Sequence, residues 1–159
     1  DWRNEVENKK KQINYEKRRN LIIGQALPAV KQEYPYDTTM LYDWLSEVGI
    51  SKEEAQNIFE FDAVYDKFPV FDSKGGHLKP TKDQMEEYYE RSLRDKIENC
   101  KSILVLGNCA KEFLKTKNIN KPIEYTIHPS KRNSFLYNKN RENVLIKLRK
   151  IIKWQIKKV

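Results

Sequence analysis

The sequence predicts an α/β protein: a three-layer α/β/α sandwich around a central, mostly parallel four-stranded sheet. Three observations point that way. Aliphatic or β-branched runs recur at residues 21–24, 58–65, 102–106 and 123–127. Stretches with helical spacing separate them. Strand and helix alternate along the chain, an order satisfied by parallel strands with helices on both faces.

The first strand is Leu21-Ile22-Ile23-Gly24. Leu41, Trp44, Leu45 and Val48 follow at helical spacing, with Asp37 or Thr38 as the cap and Gly49 as the stop. Ser51 and Glu54 form a capping-box pattern for a short second helix. Residues 58–65 alternate as a strand, with Glu60 and Asp62 on one face and Phe59, Phe61 and Ala63 on the other. A loop spans residues 68–79 and contains Pro69, Gly75-Gly76 and His77. Pro80-Thr81 then opens a helix, with Thr81 as cap and Gln84 reaching back. Met85, Tyr89, Leu93, Ile97 and Cys100 form its core stripe. Ser102-Ile103-Leu104-Val105-Leu106 is apolar throughout, as a strand buried on both faces must be. Gly107-Asn108 turns it into a helix holding Ala110, Phe113 and Leu114, with Asn108 as the expected cap. Residues 123–127 form the last strand. Val144, Leu148, Ile151 and Ile152 line the closing helix, whose end is solvated by Lys153, Lys157 and Lys158.

A chain of 159 residues suits one domain. Residues 20–159 are read as that domain and residues 1–19 as a charged helical extension. The formal charge of +8 favours a polyanionic partner, nucleic acid first and an anionic membrane second. A solvated lysine-rich surface explains the same charge, and is the preferred reading of Lys9-Lys10-Lys11 and Lys17-Arg18-Arg19. Cys100 and Cys109, the only cysteines, cannot hold a four-ligand metal or iron–sulfur site, and read as buried thiols in a reducing compartment. No run approaches the ~20 apolar residues of a membrane span. The amino terminus lacks the apolar core of a secretory signal, which leaves the cytoplasm as the expected location.

The turns at the strand ends carry the chemistry. Gly24-Gln25-Ala26 lacks the spaced glycines of a dinucleotide fingerprint, and no Walker-type phosphate loop occurs. The chain instead presents an ordered set. A strand ends in Gly24-Gln25-Ala26-Leu27-Pro28, and an aromatic follows in Tyr34-Pro35-Tyr36. A second strand carries the polar Asp62, and a Pro80-Thr81 helix comes next. Leu106-Gly107-Asn108-Cys109-Ala110 makes a strand–helix turn, and a last strand runs into His128-Pro129-Ser130. Over residues 20–152 this order resembles the uracil-DNA glycosylase superfamily, in layout its small iron–sulfur branch. The cluster cysteines are absent, so the resemblance implies no cluster and no other cofactor.

The resemblance implies enzymes that flip a nucleotide out of DNA into a pocket. The glycosidic bond then breaks with positive charge on the sugar and negative charge on the base. His128 would donate a hydrogen bond to the base O2 and stabilise that charge. Tyr36 would stack on the base, and Gly24 and Asn108 would line the pocket. Ser130 would hold phosphate, while Lys131, Arg132 and Asn133 occupy the place of the wedge that fills the vacated stack. DNA is the expected partner, and the protein is expected to be a monomer.

Three departures from the family pattern set the substrate expectation. The water-activating carboxylate is replaced by Gln25, whose amide can position water without accepting its proton; Asp37 or Glu33 could substitute. The base-reading position, usually asparagine, is Asp62, with Glu60 as the register-shifted alternative. A carboxylate accepts from the cytosine amino group and repels the uracil O4. Ala29 stands where the strict uracil branch has a tyrosine that blocks C5, and so leaves room there. Together these predict a monofunctional glycosylase for a cytosine-type base modified at C5, similar to antiviral enzymes that attack hypermodified phage DNA. The alternatives are a repair glycosylase for uracil or another deaminated base, a DNA-binding module without activity, and an enzyme of free nucleotides.

Overall fold

The computed structural model describes residues 20–25, 39–66, 79–129 and 134–156. The extension 1–19, Asp37 and Thr38 as candidate caps, the loop at 68–78 and the end of the chain lie outside them. The elements run β1 (Asn20–Gly24), α1 (Thr39–Glu47), α2 (Lys52–Ile58), β2 (Phe59–Ala63), α3 (Lys82–Tyr88), a π turn (Tyr89–Leu93), α4 (Arg94–Asn99), β3 (Ile103–Leu106), α5 (Asn108–Lys115), β4 (Ile123–Thr126) and α6 (Ser134–Ile156). The four strands form an all-parallel sheet in the order β2-β1-β3-β4.

That order contains one reversal. The chain steps from β1 outward to β2, then crosses back over β1 to β3 and on to β4. Right-handed crossovers place connections of opposite direction on opposite faces of a sheet. The packing follows this rule. Helices α1, α2 and α6 cover one face, where Ile22, Phe59, Leu104 and Leu106 meet Leu41, Trp44, Leu45, Val144 and Leu148. The other face carries α3, α4 and α5, with Leu21, Ile23, Ile103 and Val105 against Tyr89, Leu93, Ile97 and Phe113. Every residue of β1 and β3 is buried, as central strands between two helical layers must be.

Local chemistry sets the element boundaries. Ser51 and Thr81 each cap a helix and receive the returning side chain of Glu54 or Gln84, so both expected capping boxes are present. Gly49 at φ +88 ends the first helical segment, and the Ile50 amide returns to the Leu45 carbonyl. Ile58 is the last residue of α2, so the second strand starts one residue later than its alternation suggests. The stripe from Met85 to Ile97 repeats every fourth residue, an advance that overshoots an ideal α-helix by about 40° per step. The wider π turn absorbs the overshoot and keeps Tyr89, Leu93 and Ile97 on the sheet. Two edges remain. On the β4 side, the Lys147 ammonium donates to the Tyr125 carbonyl at 2.5 Å, occupying an acceptor that another strand could use.

Candidate functional site at the carboxyl end of the sheet

The strand register aligns the functional turns. Gly24 pairs with Ala63, Ile23 with Val105, and Leu106 with Thr126, so all four strands end at one level. Past that rim lie Gln25, Gly107-Asn108 and His128. The strand order reverses between β1 and β3, the position at which open α/β sheets bind their ligands.

Gly107 and His128 meet there. The Gly107 amide donates to the Thr126 carbonyl at 2.9 Å, carrying the ladder one residue past β3. Gly107 has φ +87, and a Cβ added to it would lie 3.3 Å from the His128 Cβ. A side chain at 107 would therefore be strained and would press on the imidazole-bearing residue. His128 is half-buried and followed by a buried Pro129, whose fixed φ restricts the turn. Gln25, at the end of β1, is half-buried.

Asn108 corrects one expectation. The cap of α5 is Gly107, without a side-chain bond, and Asn108 is the first helical residue, exposed to solvent. Gly107 holds the cap position at φ +87 and ψ 169, outside the extended region usual for caps and open essentially to glycine alone. The amide of Asn108 is thus not used in capping. Cys100 is buried as expected, whereas Cys109 is half-buried; both are free thiols. Burial pushes the Cys100 thiol up to about 11.

Asp62 lies one residue inside the rim, on the sheet face covered by α3 and α4, and is 2% exposed. Its Oδ1 accepts from the Ala63 amide at 2.8 Å and from the Tyr88 hydroxyl at 2.7 Å. Its Oδ2 accepts from Lys96 Nζ at 2.7 Å. A carboxylate offers about four acceptor positions, so one remains, on Oδ2. Burial raises the Tyr88 phenol far above its ordinary value, and the Asp62 charge adds to the shift, so Tyr88 stays a donor. The register-shifted alternative, Glu60, is exposed on the same strand.

Tyr88 and Lys96 are site residues that the sequence does not single out. Tyr88 flanks the apolar stripe next to Tyr89. Lys96 is one of 31 lysines and arginines. Beside them, at the carboxyl end of β2, an open cleft of about 630 Å³ is lined by Tyr65, Asp66, Asp83, Gln84, Glu87 and Arg91. Arg91 pairs with Asp66 and with Glu87. With three carboxylates and a cation already paired, this cleft is unsuited to phosphate.

Of the other expected site residues, Ala29, Tyr36, Asp37, Ser130, Lys131, Arg132 and Asn133 lie outside the described residues. The structure therefore brings the Gly24-Gln25 turn, Gly107-Asn108 and His128 to the same end of the sheet, with Asp62 one residue inside the far end of that rim. Among the described residues no cluster of His, Cys, Asp or Glu could hold a metal ion. No helix among them is long and apolar enough to cross a membrane. The chain matches no family model and no curated protein.

Proposed function

We propose that the protein is a monofunctional DNA glycosylase that removes a flipped cytosine-type base carrying a C5 substituent and leaves an abasic site. The observation that carries the proposal is the convergence of the Gly24-Gln25, Gly107-Asn108 and His128 turns at the carboxyl end of an all-parallel sheet, beside the reversal of strand order. The order of those turns along the chain resembles that of the uracil-DNA glycosylase superfamily and supports this choice of chemistry.

In this reading the bond between C1′ of the sugar and N1 of the base breaks heterolytically, and the electron pair leaves with the base. His128 donates a hydrogen bond to O2, where the negative charge gathers. Water attacks C1′. Gln25 orients that water as an amide can, and Asp37 takes the proton that Gln25 cannot accept. Tyr36 stacks on the base, and Asn108 and Gly24 bound the pocket. Ser130, Lys131, Arg132 and Asn133 hold the neighbouring phosphates and the vacated stack. The base class follows from Asp62, a carboxylate that accepts from an amino group and repels a carbonyl, and from the room that Ala29 leaves at C5. The biological setting proposed is cytoplasmic defence against phages with modified DNA, by a monomer that needs no cofactor.

The test is incubation with duplexes containing uracil, hypoxanthine, cytosine or glucosylated 5-hydroxymethylcytosine, followed by alkaline cleavage at abasic sites. Cleavage is expected at the modified cytosine. His128→Ala is expected to lower that rate about 10²–10³-fold while DNA binding persists. Release of uracil alone would replace the proposed substrate with a repair substrate. The absence of a carboxylate at Gln25 favours one further reading, a DNA-binding module without activity, which predicts binding and no abasic product from any duplex.

A further inference from the structure

Asp62 sits in surroundings built only of donors. The Ala63 amide and the Tyr88 hydroxyl both point at Oδ1, and the Lys96 ammonium points at Oδ2. A neutral carboxyl group there would put its hydrogen in the one open position on Oδ2 and turn that position from an acceptor into a donor. The charged form, accepting on every side, fits all three. Lys96 is the cation that offsets the charge, because the neighbouring Arg91 is held by Asp66 and Glu87. The contacts are also unequal. Oδ1 is filled, whereas Oδ2 keeps one acceptor position beside Lys96. The Lys96 side chain is 37% exposed against 2% for Asp62, so it reaches from solvent to the buried oxygen.

We propose that Tyr88 and Lys96 are positioning residues that fix Asp62 as a charged acceptor, so that the pocket selects a base with an amino group at C4 over one with a carbonyl. The inference rests on Asp62 being the base-reading group of the proposed glycosylase. Tyr88 fixes the carboxylate plane through Oδ1. Lys96 keeps the charge and leaves Oδ2 one position for the incoming N–H. A carbonyl at the same place meets a full negative charge and no donor. The pair therefore determines which base is read without touching the base itself.

The test compares affinities for two duplexes that carry 5-hydroxymethylcytosine or 5-hydroxymethyluracil at one central position, on a 2′-fluoroarabino sugar that resists hydrolysis. The bases share the C5 group and differ at C4 and in the proton on N3. The wild-type protein is expected to bind the cytosine duplex about tenfold or more tightly. Lys96→Met is expected to bring the ratio near one, Lys96→Arg to restore it, and Tyr88→Phe to reduce it about threefold. Circular dichroism checks that each variant is folded; if Lys96→Met is not, the Tyr88→Phe ratio decides. An unchanged ratio in folded Lys96→Met and Tyr88→Phe would overturn the positioning role and leave the reading of Asp62 standing. No wild-type preference, or no binding, would overturn both. A wild-type preference lost in Lys96→Met, with no base released from any hydrolysable duplex, would uphold this inference and sink the glycosylase reaction.

Discussion

Gly107 is the residue at which backbone geometry and chemistry are hardest to separate. Its φ of +87 suits glycine, and the 3.3 Å gap to His128 leaves no slack for a methyl group. Gly107→Ala is expected to lower stability by about 1–3 kcal/mol, since φ +87 with ψ 169 is a region open essentially to glycine alone, measurable in urea, and, in the proposed glycosylase, to reduce base release by displacing His128. Cys100 gives a second prediction at this scale. Its thiol ionises near 9 when unfolded and is pushed up to about 11 by burial in the fold. Between those values the unfolded chain releases a proton that the folded chain keeps, so rising pH favours unfolding. Stability is therefore full below pH 9 and falls towards 11. The check is a urea midpoint at about pH 8 and about pH 10 for wild type and Cys100→Ala, with the smaller loss expected in the variant. Single residues also mark where sequence reading stops. Asp62 and His128 stand out by type and by place at a strand end. Lys96 cannot, since its role depends on which buried oxygen lies within its reach, and nothing in the spacing between 62 and 96 records that.

At the level of elements, the sequence is most legible where local chemistry decides. Ser51 with Glu54 and Thr81 with Gln84 announce helix starts that form as expected, because each box is closed within four residues. The apolar runs at β1 and β3 announce buried strands for a similar reason. The position of the π turn is illegible, since the four-residue repeat from Met85 to Ile97 overshoots an ordinary helix equally at every step, and only packing against the sheet decides where the correction falls. Asn108 misleads for another reason: asparagine is a strong cap in general, but the cap position falls one residue earlier, on Gly107. The Thr81 cap offers a direct test. Thr81→Ala removes the acceptor for the Gln84 amide and is expected to cost about 1 kcal/mol. Because α3 carries Tyr88, the same variant is expected to loosen the Asp62 network; hydrogen exchange at the Ala63 amide reads this, and faster exchange is the expected result.

For the whole molecule, alternation of strand and helix was enough to infer a parallel sheet with two helical layers. The strand order was not, because it is set by pairings between residues about 20 to 80 positions apart. The order matters most for function, since its reversal between β1 and β3 is the position at which open α/β sheets bind their ligands. Charge also acts at this scale. With a net charge of +8, association with DNA is expected to be steeply salt-dependent. Titration between about 50 and 200 mM salt is expected to weaken binding by at least tenfold, and a flat profile would argue against phosphate contacts.

Asp62 lies on the outermost strand β2, and His128 follows the other outermost strand, β4, by two residues, with two central strands between them. Backbone hydrogen bonding fixes neighbouring strands about 4.8 Å apart. The two strands that lead to these groups are thus three divisions apart, about 14 Å, a spacing set by backbone hydrogen bonds. Changes to the turns can alter what grips the guest, and a smaller or larger side chain can trim the fit. The breadth of the opening itself is written in the spacing of the sheet. A relative accepting a much wider guest would have to gain or lose a strand.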